Sequence, residues 1–386
     1  MTTTAPAPGK GGTAPRRSTR SAPSALNRLW NAPGPVRLRR EGAVAPILAF
    51  LIFLTIYIII NPELLTRFQL QTAANLVVPL ALAALAQMII VLTGGIDISI
   101  GAIMSLANVV FATTMEFLPT PFALLAGIAA GLACGLFNGL LVAYGRLPAI
   151  AVTLASSFIF ASLSREIMDR PGGGITTEFY LLTSGELLPF LPMSIFWLTL
   201  IAVGLWFVLQ RTSFGRHIYG VGSNADSVRS AGINDRRATV GAFALSGVVV
   251  ALGGIMLAGS PIPGDPRSGD PYLLTSIAAV ALAGVSFAGG KGSIIGTILA
   301  AFTLGLVGSL LFFAGINSYW QYVISALIVI AVVAIPVVWS RISGAIGAFH
   351  AGVEYGWWQG LTACTSAIQP LPGETYLEAA MRAPIV

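Results

Sequence analysis

Charge is what this 386-residue chain lacks. Only 9% of its residues are Asp, Glu, Lys or Arg, where an ordinary soluble domain carries about 25%. Histidine and cysteine are almost missing too, with two of each. His217 and His350 sit in polar or terminal stretches, and Cys134 and Cys364 lie in dissimilar settings, so no metal-ligand spacing or disulfide framework can be read. Too little charge to cover a surface excludes a soluble enzyme. An apolar fraction of 55% excludes a disordered chain. Mean hydropathy is +0.83. The expected solvent is lipid, and 43 glycines suit membrane helices, which use glycine for close packing.

The net charge of +6 is unevenly placed. Residues 1–40 hold Lys10, Arg16, Arg17, Arg20, Arg28, Arg37, Arg39 and Arg40 and no acid, so that tail carries +8 and the remainder −2. This is not the footprint of a nucleic-acid binder. A basic tail before the first apolar run belongs in the cytoplasm by the positive-inside rule. Its Ala, Pro, Gly, Ser and Thr content makes 1–42 an expected disordered segment. The apolar run that follows has full membrane length and no small-residue cleavage pattern, which argues against a secretory leader.

A membrane span needs about 20 mainly apolar residues. Ten stretches qualify: 43–60, 70–92, 98–117, 121–144, 149–168, 188–209, 237–259, 272–288, 293–315 and 319–339. The fold class expected is therefore all-α, a polytopic integral membrane protein with about ten transmembrane helices. The spans 98–117 and 272–288 are the weakest, being short or rich in Gly and Ala. With the tail inside, the basic links (Arg146; Arg211, Arg216, Arg229, Arg236 in 210–236; Arg341) fall inside and the acidic ones (Asp169, Glu178, Glu186; Asp265, Asp270) outside. The tail 341–386, with Phe349, Trp357 and Trp358, reads as a cytoplasmic end or an interfacial helix.

Two glycine-rich stretches echo each other at an offset of 195 residues, Gly94 to Ile103 and Gly289 to Ile298. Gly94 and Gly95 align with Gly289 and Gly290, Ile100 with Ile295, Gly101 with Gly296, and Ile103 with Ile298. Gly-interrupted segments at corresponding places in two halves point to the central site of a transporter; coincidence of two common residue types is the other reading. Both stretches fall on the same side by span parity, which implies a parallel repeat unless the count is wrong.

Enzyme motifs are scarce. Gly289-Gly290-Lys291-Gly292 fails as a phosphate loop, because no Gly lies five before Gly290 and Gly follows the Lys. Asp97 is the carboxylate placed among apolar residues. It reads either as a helix cap, with Ser99, or as a pathway residue. Lys291 is its counterpart or a solvated lysine. Gln87, Asn108, Asn138, Thr153, Ser156, Ser157, Ser246 and Gln321 lie inside spans, where they line a path for an uncharged solute or simply bond helix to helix. Ion-driven carriers use buried acids as relays, and these are almost absent, so the driving energy is expected from another subunit. The link 211–236 is the expected contact. Ser223 or Asn224 can cap a short helix from Ala225 to Ala231, and Gly232 can end it, with Gly215, Gly220 and Gly222 before it. A positive-inside loop that meets only lipid headgroups is the alternative.

LTGGIDISIGAIM at 92–104, NGLLVAYGRLPAIAVTLAS at 138–156, FGRHIYGVGSNADSVRSAGI at 214–233 and GGKGSIIGTILAAF at 289–302, with SYWQYVISALIVI at 318–330, together resemble the membrane permeases of ATP-binding-cassette sugar importers of the ribose/xylose type, related to branched-chain amino-acid permeases. The resemblance implies a permease domain over 43–340, with Gly94, Gly95, Asp97, Ser99, Asn138, Thr153, Gly289 and Gly290 at the translocation path or gate. It also implies an ATPase-coupling segment at Gly222, Asn224, Ala225, Ser227, Arg229 and Gly232, where Ser227 and Arg229 depart from the family pattern. The implied partners are cytoplasmic ATPase subunits that carry ATP and Mg, a periplasmic or lipid-anchored sugar-binding protein and a second permease copy or homologue. The chain itself would bind no cofactor and would sit in the bacterial inner membrane. A self-sufficient carrier, a membrane enzyme and an amino-acid permease are the competing readings.

Overall fold

The structure is a computed structural model that describes residues 44–62, 66–259 and 263–313, with isolated positions from 315 to 330. The basic segment 1–42, the tail 341–386 and most of the tenth expected span, 319–339, lie outside the described residues.

In chain order the elements are α1 (Val44–Ile60), α2 (Arg67–Leu92), α3 (Ile100–Thr114), α4 (Thr120–Ala143), α5 (Ala149–Ile167), α6 (Thr177–Ser184), the hairpin β1 (Glu186–Leu188) and β2 (Leu191–Pro192), α7 (Met193–Arg211), α8 (Ser213–Ser230), α9 (Asp235–Leu257), α10 (Tyr272–Leu282) and α11 (Ile294–Phe313). Six of the described helices, α2, α4, α5, α7, α9 and α11, are long and apolar enough to cross a membrane, and α1, α3 and α10 are shorter apolar helices. The expected count of about ten is thus not reached among the described residues. The reasons are local. Span 98–117 is helical only over 100–114, between the turn at 97–99 and the turn at 115–117, and 272–288 only over 272–282, because a link opened by Gly284 occupies the rest. Span 188–209 starts late, at Met193, because the acidic link before it folds into α6 and the hairpin.

Helix α2 is the axis of the bundle. Every residue from Val77 to Leu92 is buried, as a helix apolar on all sides must be. Helices α4 and α9 pack through a seam of glycines. Gly127, Gly131, Gly135 and Gly139 recur every fourth residue on α4. A Cβ at Gly131 would stand 2.4 Å from the Gly247 carbonyl oxygen, and one at Gly135 2.3 Å from that of Phe243. Small residues at this spacing let membrane helices approach backbone to backbone.

The links sort into two groups. At one end Gly290 N donates to Leu92 O at 3.0 Å, and Arg236 of α9 lies over the Tyr144 ring that follows α4, 5.7 Å from its centroid. At the other end Gly172 and Gly264 exchange two backbone hydrogen bonds of 2.8 Å, Ser184 donates to Gly259 O at 2.7 Å, and Arg67 pairs with Glu186.

The short helices α3 and α10, at 15 and 11 residues, are about 22 and 16 Å long, less than the roughly 30 Å hydrocarbon core. Each is preceded by non-helical backbone. The stretch before α10 runs antiparallel to α3: Gly264 packs on Ala112, Asp265 N donates to Asn108 Oδ1 at 2.9 Å, Gly269 N donates to Ser105 Oγ at 2.8 Å, and Gly269 touches the Gly101 backbone. It therefore reaches inward by about 16 Å, eleven helical residues along α3. Non-helical backbone at depth is tolerated when protein buries it, and Asp97, Ser99, Gly264, Pro266 and Gly269 are all buried. The two links that mirror one another are thus 93–99 and 263–271, each after a long central helix and each before a short one. Five helices, α3, α4, α5, α7 and α9, cross between them. An odd number of such passages leaves the two links at opposite ends of the bundle. The glycine echo joins 93–99 to 283–293 instead. Those two links meet at one end, so the echo is a shared contact site and not the mirror relation.

Candidate functional site

Two constellations bring the sequence-singled residues together, and they are adjacent. The first is a buried polar knot on the 93–99 link. Gly94, at φ +84°, turns the chain out of α2, with its N–H on Val91 O at 2.9 Å; the left-handed conformation is the usual glycine helix stop. Gly95 faces Ile90 and Ala149. Asp97 Oδ1 accepts from Ser99 N at 2.7 Å and from Ser99 Oγ at 2.6 Å. Asn138 of α4 donates from Nδ2 to Ser99 Oγ at 2.8 Å. Thr153 of α5 accepts from Ile98 N at 3.0 Å and donates to Ala149 O at 2.8 Å. All four side chains, Asp97, Ser99, Asn138 and Thr153, are at most 2% exposed. Asp97 therefore organises the turn before α3, which begins at Ile100 and not at 98; Ser99 makes no side-chain cap to it. Lys291 is exposed and Asp97 is buried, so Lys291 is the solvated lysine.

The second constellation is a clasp. Gly289 and Gly290 both hold positive φ, +91° and +72°. A Cβ at Gly222 would lie 1.9 Å from Leu92 O and 2.7 Å from Gly290 N, the two atoms that bond each other. A Cβ at Gly289 would meet the Gly222 backbone at 2.7 Å, and one at Gly290 the Ser223 hydroxyl at 2.1 Å. Gly222 of α8 is therefore wedged into the junction between the end of α2 and the link before α11.

Beyond the clasp α8 changes direction. Asn224, at φ −165° and ψ 96°, breaks the helix. Its Oδ1 accepts from Ser227 N at 2.9 Å, the geometry of an N-cap. The turn ends at Gly232, φ +78°, with Gly232 N on Arg229 O at 2.9 Å and Ile233 N on Val228 O at 3.1 Å. The short capped helix is present over 225–230, with Ala231 as its C-cap, but Gly215, Gly220 and Gly222 lie inside the helical turns before it and do not bracket it from outside. Asn224, Ser227, Arg229 and Gly232 are exposed and Ala225 is half-buried. Arg229 bonds Asp226 and, at 2.7 Å, Asp235, and these carboxylates raise its guanidinium pKa above the ordinary value. Much of its charge is thus answered within the chain.

The other in-span polar residues divide. Asn108 donates to Gly254 O at 3.0 Å and to Pro263 O at 2.9 Å, and Ser246 donates to Ala86 O at 3.1 Å. Ser156 and Ser157 donate within their own helix, to Thr153 O and Leu154 O. Gln87 is fully buried, with neither amide atom bonded. Gln321 lies outside the described residues. The clasp role of Gly222 and the glycine seam of α4 were not anticipated. The seam had a legible signal in its fourfold spacing; the clasp had none, because its partner is a main-chain carbonyl.

Over residues 69–333 the chain matches the family described as branched-chain amino acid transport system permease components. It is 30% identical over 318 residues to the fructose import permease protein of Rhizobium meliloti, covering 77% of this chain and 86% of the relative. It is 31% identical over 294 residues to the ribose import permease protein of Bacillus subtilis, covering 75% and 91%. Against the galactose/methyl galactoside import permease protein of Escherichia coli it is 30% identical over 321 residues, covering 77% and 94%. No solved structure matches the chain.

Proposed function

The chain belongs to the family of branched-chain amino acid transport system permease components, and from that premise we propose that it is the membrane subunit of an ATP-driven importer for a monosaccharide. Relatives named for fructose, ribose and galactose import favour a sugar over an amino acid. In this reading two cytoplasmic ATPase subunits bind ATP and Mg, an extracytoplasmic sugar-binding protein delivers the cargo, and a second permease copy or homologue completes the path. The protein sits in the inner membrane with its N-terminus in the cytoplasm.

The observation that carries the reading is the clasp. The exposed helix at 225–230 is the docking element for the ATPase. Through Gly222 it bears on the Leu92 carbonyl and on Gly290, so its displacement reaches the end of α2 and the start of α11 together. The knot of Asp97, Ser99, Asn138 and Thr153 fixes the 93–99 link to α4 and α5 and acts as the gate-side lock. The outer links around Gly172 and Gly264 form the surface that meets the binding protein. Nucleotide-bound ATPase must bind one permease conformation more tightly than the other, since a ligand shifts an equilibrium only by its differential affinity.

Deleting residues 223–232 tests the reading. The shortened chain is expected to insert in the membrane and to lose co-purification with the ATPase. Retained co-purification rejects the docking role.

A further inference from the structure

Helices α1, α7 and α11 enclose a cleft of about 600 Å³. Phe50 of α1, Leu198 and Trp206 of α7, and Ile294, Ile298 and Phe302 of α11 are among its walls. Its one hydroxyl, on Thr199, donates to Ile195 O at 2.8 Å and is spent within its own helix. Apart from the Trp206 indole N–H near the charged end, the walls are hydrocarbon, so the bulk of the occupant is a hydrocarbon chain.

The end of the cleft is charged. Arg211 closes α7 and lies over the Trp206 ring, 5.1 Å from its centroid. Next to it, Gln210 donates to the Tyr219 hydroxyl at 3.3 Å, which in turn reaches Gly292 O at 3.5 Å. That chain of contacts brings exposed Lys291 to the same end. The stretches 198–217 and 284–302 carry Arg211, Arg216 and Lys291 and no Asp or Glu, so no acid within them answers the charge. A cation stacked on an interfacial tryptophan at the mouth of an apolar cleft suits a ligand with an anionic head and a hydrocarbon tail.

We infer that the cleft between α1, α7 and α11 is a binding site for an anionic phospholipid, its acyl chain against Phe50, Trp206 and Ile298 and its phosphate at Arg211 and Lys291. The cleft walls share no residue with the knot or the clasp, although the charged end adjoins the clasp where Lys291 follows Gly290. The site goes beyond the transport reading and does not depend on which solute is carried.

Native mass spectrometry of the purified full-length chain, with phosphatidylglycerol or phosphatidylcholine added, tests it. Phosphatidylglycerol is expected to be retained in preference. Arg211→Ala should cut that retention about fivefold, the scale of one basic residue against an anionic lipid. Val203→Trp adds bulk on the cleft wall at a position 57% exposed, where folding should survive, and is expected to displace both lipids. Equal retention of the two lipids, or retention unmoved by Val203→Trp, overturns the site. So does binding that emerges only after residues 319–339 are deleted, because that span would then be the occupant.

Discussion

Thr153 holds the amide of Ile98 in a place with no water to replace it. Its hydroxyl is fully buried and serves the amide at 3.0 Å while donating to Ala149 O. Thr153→Val should therefore cost about 1–3 kcal/mol, the penalty for an unpaired buried donor, read as a lower melting midpoint in detergent; Thr153→Ser should hold the wild-type value. Gln87 presents the opposite case. Both of its amide atoms are buried and unbonded, so Gln87→Met is expected to raise stability by about 1–3 kcal/mol. If that variant also loses uptake, the amide serves the path in another conformation. Asp97, Ser99, Asn138 and Thr153 were legible as polar residues in apolar surroundings. Their pairing was not, because Asn138 and Thr153 stand 39 and 55 positions from the groups they bind and no local spacing encodes such contacts.

Element by element, α8 carries the sharpest expectation. Gly222→Val pushes a side chain into a space where even a Cβ would meet Leu92 O at 1.9 Å. The variant is expected to keep its membrane level and its ATPase partner while uptake falls about 5–150-fold, the range of a lost coupling free energy of 1–3 kcal/mol. Uptake at the wild-type rate would show that the junction transmits nothing. The break at Asn224 and the stop at Gly232 could be read from residue type, since an amide caps and a glycine turns left-handed. The lengths of α3 and α10 could not. Hydropathy runs on through the link 283–293 without registering that glycine backbone has left the helix; in this link Gly284, Gly289 and Gly290 all take positive φ. The hairpin at 186–192 was hidden for a similar reason, since Leu188 and Leu191 read as the start of a span.

At the scale of the whole molecule, the described helices form a bundle whose ends are joined separately and whose middle is held by α2. Vesicles containing this chain alone should not accumulate sugar against a gradient, whereas adding the ATPase, ATP and the binding protein should permit it; uphill uptake by the lone chain would end the proposed division of labour. Charge placement made the two ends distinguishable in the sequence, because the described basic links, with Arg146 and with Arg211 to Arg236, and the acidic ones, with Asp169 and with Asp265, kept to separate groups. The packing of the stretch before α10 along α3 was not visible, since the conspicuous glycine match joins links that share an end. Where the stretch before α10 meets α3, Gly101 and Gly269 press main chain on main chain. Only hydrogen atoms separate the two runs of main chain there, so neither can shift along that line without carrying the other's helix with it.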